Sequence, residues 1–245
     1  MESTINLPVQ LSRMRRVRLI LFGLMICAGA QASSPERLHN VDSLVYLQRE
    51  SFIVWYAPAV NVPALVAWSL SGSDLGRCRR PAGQNFSTDF DCPKPRAKSS
   101  DYRRSGYQRG HLCPSADRSS SSSRMRATFI MSNVAPMTPK LNTCSWAQAE
   151  EYSRIVARAG HRCFLVAGAL IPDSVYHWLP SARIAVPDSF FRACIVTDAP
   201  NLSAFWLMAN DTLYRSESVC RVPRAHFVRS LRSRVRSIFN LLVSQ

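Results

Sequence analysis

The chain is short of acid: 16 Asp and Glu stand against 31 Lys and Arg in 245 residues, a formal net charge of +15. Such an excess favours a polyanionic partner, nucleic acid or an anionic membrane surface, with plain solubility as the bland alternative. No C-x-x-C pair occurs among the eight cysteines, which argues against a thiolate-built structural zinc site. The apolar run Leu19 to Ala30 is too short to cross a bilayer, which takes roughly 20 residues, so no stable membrane insertion is expected. No stretch has the composition of a domain linker. The serine run Ser119 to Ser123 is brief and flanked by charge, and reads as a loop that also caps a short turn.

What is present begins with a leader. Arg13, Arg15, Arg16 and Arg18 precede the apolar run, and Ala30-Gln31-Ala32 offers small residues for cleavage, so residues 1–32 read as a secretory signal peptide. A secreted or periplasmic protein follows, with one domain over residues 33–245 that is still strongly basic. In that setting the seven remaining cysteines are expected in disulfides. Cys78 and Cys92 are the best candidate pair, since they bracket a segment holding Pro and Gly whose closure would stabilise by about 3 kcal/mol.

Along the chain, "FIVWYAP" and "ALVAWSLS" between Leu44 and Leu70 predict strands of a hairpin or meander, and residues 71–104 a long, basic, turn-rich loop. "ATFIMSNVAP" (127–136) has strand composition, and "LNTCSWAQAEEYSRIVARAG" (141–160) predicts a helix ended by Gly160. "RCFLVAGALI", "ARIAVPDSFFRACIVT" and "LSAFWLMAN" supply further strands. Strands on both sides of the helix indicate a single α+β domain. Apolar residues at helical spacing opposite Arg229, Arg232 and Arg236 predict a basic amphipathic C-terminal helix over 222–245.

The chemistry-bearing residues lie between these elements. In "SGYQRGHLCP" (105–114), Arg109 and His111 project to one side if the stretch is extended, with Gly110 between them permitting close backbone approach. A histidine can serve as a general base, and an arginine can balance phosphoryl charge. Asn142 stands at the start of the predicted helix. Glu150, eight residues on, is roughly 80° round at about 100° per residue, so both can face one cleft. Glu150 and Arg154 also form an i,i+4 pair. Singly, each has an ordinary explanation: a core histidine, an N-cap, a surface ion pair.

Together these motifs resemble the non-specific DNA/RNA endonucleases, the family of Serratia-type nuclease and endonuclease G. "SGYQRGHLCPSAD" is similar to its SGY-D-R-G-H-L-x-P signature. "TFIMSNVAPMTPKLNTCSWAQAEEYSR" resembles its T-F-x-x-S-N…L-N…E…R segment, and "AGALIP" and "IAVPDSFFR" its later strands. The resemblance covers roughly Tyr102 to Arg192. It implies a ββα-metal nuclease fold: an antiparallel sheet with a long active-site helix after the catalytic hairpin. It further implies a DNA/RNA endonuclease leaving 5′-phosphate and 3′-hydroxyl ends, with His111 as general base and Asn142 as the direct ligand of Mg²⁺. Glu150 would assist the hydrated ion, Arg109 and Arg154 would stabilise phosphate charge, Asn133 would support the site, and Arg80 would match a further arginine. DNA and RNA would be held through their phosphate backbones. Two positions depart from the pattern. Gln108 replaces the usual Asp and Met137 the usual Gln, which would make the site less negative and could leave Arg109 held differently. A nuclease-fold protein that binds nucleic acid or a protein without cutting is the alternative. Cys113 and Cys144, within the two site motifs, could bridge or simply pack.

Overall fold

A computed structural model of the chain describes residues 36–37, 43–80, 82–171, 174–175, 177–180 and 184–244. In chain order the strands are β1 (Glu36–Arg37), β2 (Val45–Gln48), β3 (Ile53–Ala57), β4 (Val62–Leu70), β5 (Gln108–His111), β6 (Val134–Met137), β7 (Cys163–Leu170), β8 (Ser174–Val175), β9 (Ser189–Val196) and β10 (Ala204–Ala209). The α-helices are α1 (Ser122–Ala127), α2 (Pro139–Thr143), α3 (Ser145–Arg158), α4 (Arg224–Ser230) and α5 (Ser233–Val243).

Six strands make one antiparallel sheet in the order β10-β9-β7-β4-β3-β2, while β5 pairs with β6 and β1 with β8. The central strands β4 and β7 read as near-continuous apolar runs because both faces of the sheet are covered. Adjacent residues show how. Phe190 meets Trp146 of α3, whereas its neighbour Phe191 meets Phe227 of α4. Trp206 of β10 likewise meets Tyr152 of α3 while Phe205 meets Phe227. Since successive strand residues point to opposite faces, α3 covers one face and the C-terminal helices cover the other. The fold is the expected α+β arrangement. Gly168 on β7 sits so close to the Ala64 carbonyl and the Phe191 ring that any Cβ would overlap both. The short serine run behaves as predicted: Ser121 caps α1 by accepting from the Arg124 amide at 3.4 Å.

Three expectations are corrected. The helix over 141–160 is two helices, because Cys144 leaves helical geometry at φ −114, ψ −99. The first of them begins earlier, at Pro139, capped by Thr138, whose hydroxyl accepts from the Leu141 amide at 3.2 Å. The segment 127–136 is strand only from Val134, since Met131–Asn133 tightens into a 3₁₀ turn. The single C-terminal helix over 222–245 is broken at Leu231, which turns extended (ψ 140) to bury its side chain. The freed Leu231 carbonyl is taken by the Arg236 guanidinium at 2.8 Å.

The cysteines are corrected too. All seven in the described part are free thiols, Cys78 and Cys92 included. The ends of that loop are held by different neighbours: the Cys78 amide donates to the Ser119 carbonyl at 3.0 Å, while Cys92 is buried in the core. Cys113 is buried and Cys144 half-buried, with no bond between them. The leader, residues 1–32, lies outside the described residues, and among those described no helix is long and apolar enough to cross a membrane.

Candidate active site

The β5–β6 ladder pairs Arg109 with Pro136 and His111 with Val134, setting the signature stretch against the segment that leads into α2. Its closeness depends on Gly110, because a Cβ there would strike the Met137 side chain. Asn133 locks the far end. Wholly buried, it accepts from the Cys113 amide at 2.9 Å and donates to the Cys113 and Thr128 carbonyls, both at 2.9 Å. From α3, Trp146 donates its indole N–H to the His111 carbonyl at 3.1 Å. Sheet, turn and helix therefore fix the same backbone point.

Above this ladder opens a hollow of about 450 Å³, walled by Arg80, Phe86, Tyr102, Arg103, Tyr107, Gln108, Arg109, His111 and Asn142. His111 and Asn142, separated by 31 positions in sequence, thus meet in one cavity. Arg80, the most loosely matched position in the sequence, meets them there, its guanidinium 4.8 Å from the centre of the Phe129 ring. The His111 ring packs on Phe86 and Phe129 at centroid distances of 4.9 and 4.8 Å. Burial, aided by the Arg80 charge, pushes the imidazole down to about 3, so it is neutral across the working range. Its Nε2 is out of solvent with no hydrogen-bond partner among the described residues. A histidine serving only to pack would have no reason to carry that cost of about 1–3 kcal/mol.

The departure at Gln108 has a specific partner. Asn142, which lines the hollow, donates its amide N–H to Gln108 Oε1 at 2.7 Å, a bond that does not use its carbonyl oxygen. Arg109 does not depend on Gln108. It donates through one nitrogen to the Ser99 carbonyl at 3.0 Å and the Ser99 hydroxyl at 2.9 Å.

Glu150 and Arg154 are placed elsewhere. The break at Cys144 takes Glu150 off the helix that bears Asn142, and neither it nor Arg154 lines the hollow. Arg154 is held by three carboxylates: Asp117 at 3.1 Å, Glu150 at 3.6 Å and Glu151 at 2.8 Å. It lines a second, more open hollow of about 810 Å³, which Arg77, Arg80 and Arg158 also line, so Arg80 stands in the wall of both. Burial raises Glu150 to about 7 despite the cations beside it.

Two residues of this buried cluster escape sequence reading. Asp117 has no exposed surface and accepts from the Trp68 indole at 3.0 Å as well as from Arg154. Arg192 on β9 is equally buried, 4.0 Å from Asp117, with its guanidinium over the rings of Trp68 and Trp146 at 5.1 and 5.7 Å. Both close stretches that carry the family resemblance, "SGYQRGHLCPSAD" and "IAVPDSFFR", yet neither is singled out as a site residue, because nothing local shows that the two are buried together.

Residues 34–232 match the model of the DNA/RNA non-specific endonucleases. The chain belongs to that family. A nuclease of Nostoc sp. is 35% identical over 188 residues, covering 76% of this chain and 66% of the relative. Endonuclease G, mitochondrial, of Bos taurus is 32% identical over 195 residues, covering 72% and 64%. The chain thus spans about two thirds or less of the length of these curated relatives. A solved chain from the crystal structure titled for the EndoG/EndoGI complex superposes with a TM-score of 0.66 at 22% identity, covering 76% of this chain and 83% of that one, and shows the shared ββα-metal nuclease fold.

The expectation of export is overturned by these relatives. The bovine protein, like those of Homo sapiens and Saccharomyces cerevisiae, is named as mitochondrial. An arginine-rich leader nearly free of acid also suits an organellar transit signal, so its composition does not single out secretion.

Proposed function

We propose that this chain is a metal-dependent endonuclease that hydrolyses phosphodiester bonds in both DNA and RNA, leaving 5′-phosphate and 3′-hydroxyl ends. The observation that carries this reading is one cavity lined by both His111, whose Nε2 has no hydrogen-bond partner among the described residues, and Asn142, whose amide N–H is engaged by Gln108. Among the described residues no three His, Cys, Asp or Glu side chains gather to hold an ion. A single hard amide oxygen fits a cation that keeps most of its water, and Mg²⁺ is the divalent ion with that habit. Asn142 would hold it, and when bound the ion would supply Lewis-acid charge to the leaving 3′ oxygen.

The chain's own residues do the rest. His111 takes the proton from the attacking water, and its neutrality means that no prior deprotonation is needed. Arg80 and Arg109 face the cavity and counter the charge that grows on the phosphoryl oxygens. Gln108 is a positioning residue that turns the Asn142 amide. Asn133 holds the backbone of the signature stretch. Arg154, paired with Glu150 on its own helix, fixes α3 against the turn that bears Asp117.

The test is incubation of the chain with supercoiled DNA and with RNA, with Mg²⁺ and with chelator. Cleavage of both, abolished by chelation, is expected; cleavage of neither would leave the non-cutting alternative. Gln108 offers a finer check. Gln108→Leu removes the acceptor that orients Asn142 and should raise the Mg²⁺ concentration needed for half-maximal rate about tenfold or more. Gln108→Asp keeps the acceptor and adds charge, so its requirement should equal or fall below that of the wild type. Equal requirements in all three would remove Gln108 from the account.

A further inference from the structure

Outside the catalytic hollow lies a groove of about 750 Å³ with an apolar floor and a basic rim, lined among others by Phe90, Lys94, Pro95, Arg96, Lys98 and Ile184. Phe90 is 77% exposed, far more than a core-forming phenylalanine. This exposure does not come from a loose loop. The neighbouring Asp89 is buried, ion-paired to Arg49 and hydrogen-bonded by the Ser132 hydroxyl. Arg96 donates to the Phe90 carbonyl at 2.9 Å and the Cys92 carbonyl at 2.7 Å, and its guanidinium lies 5.7 Å from the Phe90 ring centre. The ring is thus presented on a rigid support, in a groove that the exposed cations Lys94 and Lys98 also line. Asp101 is the one carboxylate in the lining among the described residues.

Two segments join this groove to the catalytic hollow. Phe86 lines the hollow, whereas Thr88 and Phe90, further along the same extended stretch, line the groove. The turn Ser99–Tyr102 is a shared wall: Lys98 and Asp101 face the groove, Tyr102 and Arg103 the hollow, and Ser99 anchors Arg109. At roughly 2 Å rise per residue the turn is only about 8 Å long, so a polymer lying in one cavity reaches the other.

We propose that this groove is a subsite for single-stranded nucleic acid, with a base stacked on the Phe90 ring and phosphates on Lys94 and Lys98. The inference rests on the nuclease reading and names the substrate form that the site favours. An exposed ring that shares a groove with ammonium groups is the chemistry that stacks a base while tracking its backbone. In a duplex both faces of each base are already occupied by stacking, so the ring gains a partner only from unpaired segments. A strand crossing the shared wall would place its next phosphates before Arg109 and Arg80.

The experiment measures equilibrium binding by fluorescence anisotropy, in chelator so that nothing is cut, with a labelled single-stranded oligonucleotide and with a blunt duplex of the same length. Phe90→Ala should weaken single-strand binding about fivefold or more and leave duplex binding within about twofold. Phe90→Trp should restore it, which a merely structural role would not require. Lys94→Ala combined with Lys98→Ala should weaken both and flatten the salt dependence for the single strand by about 1.4 in log–log slope. Single-strand affinities equal to wild type in Phe90→Ala and in the double lysine variant, or an equal loss on duplex and single strand in Phe90→Ala, would overturn the proposal. Wild-type cleavage of plasmid and RNA is scored separately, so failure of this subsite and failure of the nuclease reading give different results.

Discussion

His111→Ala is expected to lower the maximal rate of DNA and RNA cleavage by about 10²–10⁴, the usual contribution of a positioned general base, while leaving substrate affinity nearly unchanged. The imidazole forms part of the cavity wall, but Asn133 and Trp146 hold the surrounding backbone without it. Loss of rate should therefore not be loss of fold, and an unchanged thermal midpoint within a few degrees is the control. The pH profile sharpens the expectation. Burial has lowered the pKa of the folded-state imidazole, so the ring stays neutral below the usual histidine value and gains its proton only near pH 3. The acid limb of the rate should accordingly lie well below pH 6.5, whereas an ordinary exposed histidine would halve the rate near that pH. A variant that cuts at the wild-type rate would contradict the assignment.

Asp117→Ala should be the most damaging substitution for stability among the polar residues, at about 3–5 kcal/mol in urea unfolding. Asp117 has no exposed surface and faces two arginines, Arg154 at 3.1 Å and Arg192 at 4.0 Å. Arg192 is the more vulnerable of these. Its Nε and Nη2 have no hydrogen-bond partner among the described residues, so Asp117, the Leu112 carbonyl that accepts from Nη1 at 3.5 Å, the charge of Glu150 and two tryptophan rings offset its buried charge. Removing the carboxylate leaves that guanidinium with Glu150 as its remaining counter-charge in a low-dielectric core. The combination Asp117→Ala with Arg192→Met should recover a large part of the loss, because it removes both charges together. A single-variant loss under about 1 kcal/mol would show that the cluster is wetter than its geometry implies.

How legible the site was in the sequence depends on how local each signal is. Arg109 and His111 were placed by strand alternation within a short stretch, and both line the hollow. Asn142 was found through the spacing of its motif, yet its expected position on a long helix with Glu150 was wrong. "LNTCSWAQAEEYSR" holds no glycine or proline to mark the break at Cys144, and its helical composition continues across it. A signal for the earlier helix start did exist in Thr138-Pro139, an N-cap followed by proline at the first helical position. Arg80 reaches the site only through the tertiary path of a long loop, which periodicity does not describe.

Asp117 shows the opposite case. Its setting, "SADRSSSSSR", has the composition of solvated surface, and only packing of the turn against Trp68 and α3 makes it a buried counter-ion. The strands between Leu44 and Leu70 were read from alternation, yet β4 is buried on both faces and carries a near-continuous apolar run instead. The disulfide expectation failed for another reason. It rested on export, and with that premise removed seven cysteines need no oxidised partner.

The central claim is that one amide and one imidazole do separate tasks at one cavity. It is tested most directly by cleavage rate against Mg²⁺ concentration for the wild type, Asn142→Ala and His111→Ala. The wild type should saturate and be silent in chelator. Asn142→Ala should move the Mg²⁺ midpoint upward by tenfold or more, whereas His111→Ala should keep the midpoint and lose the plateau. Wild-type cleavage that persists in chelator, or two variants with the same midpoint and plateau as the wild type, would contradict the account.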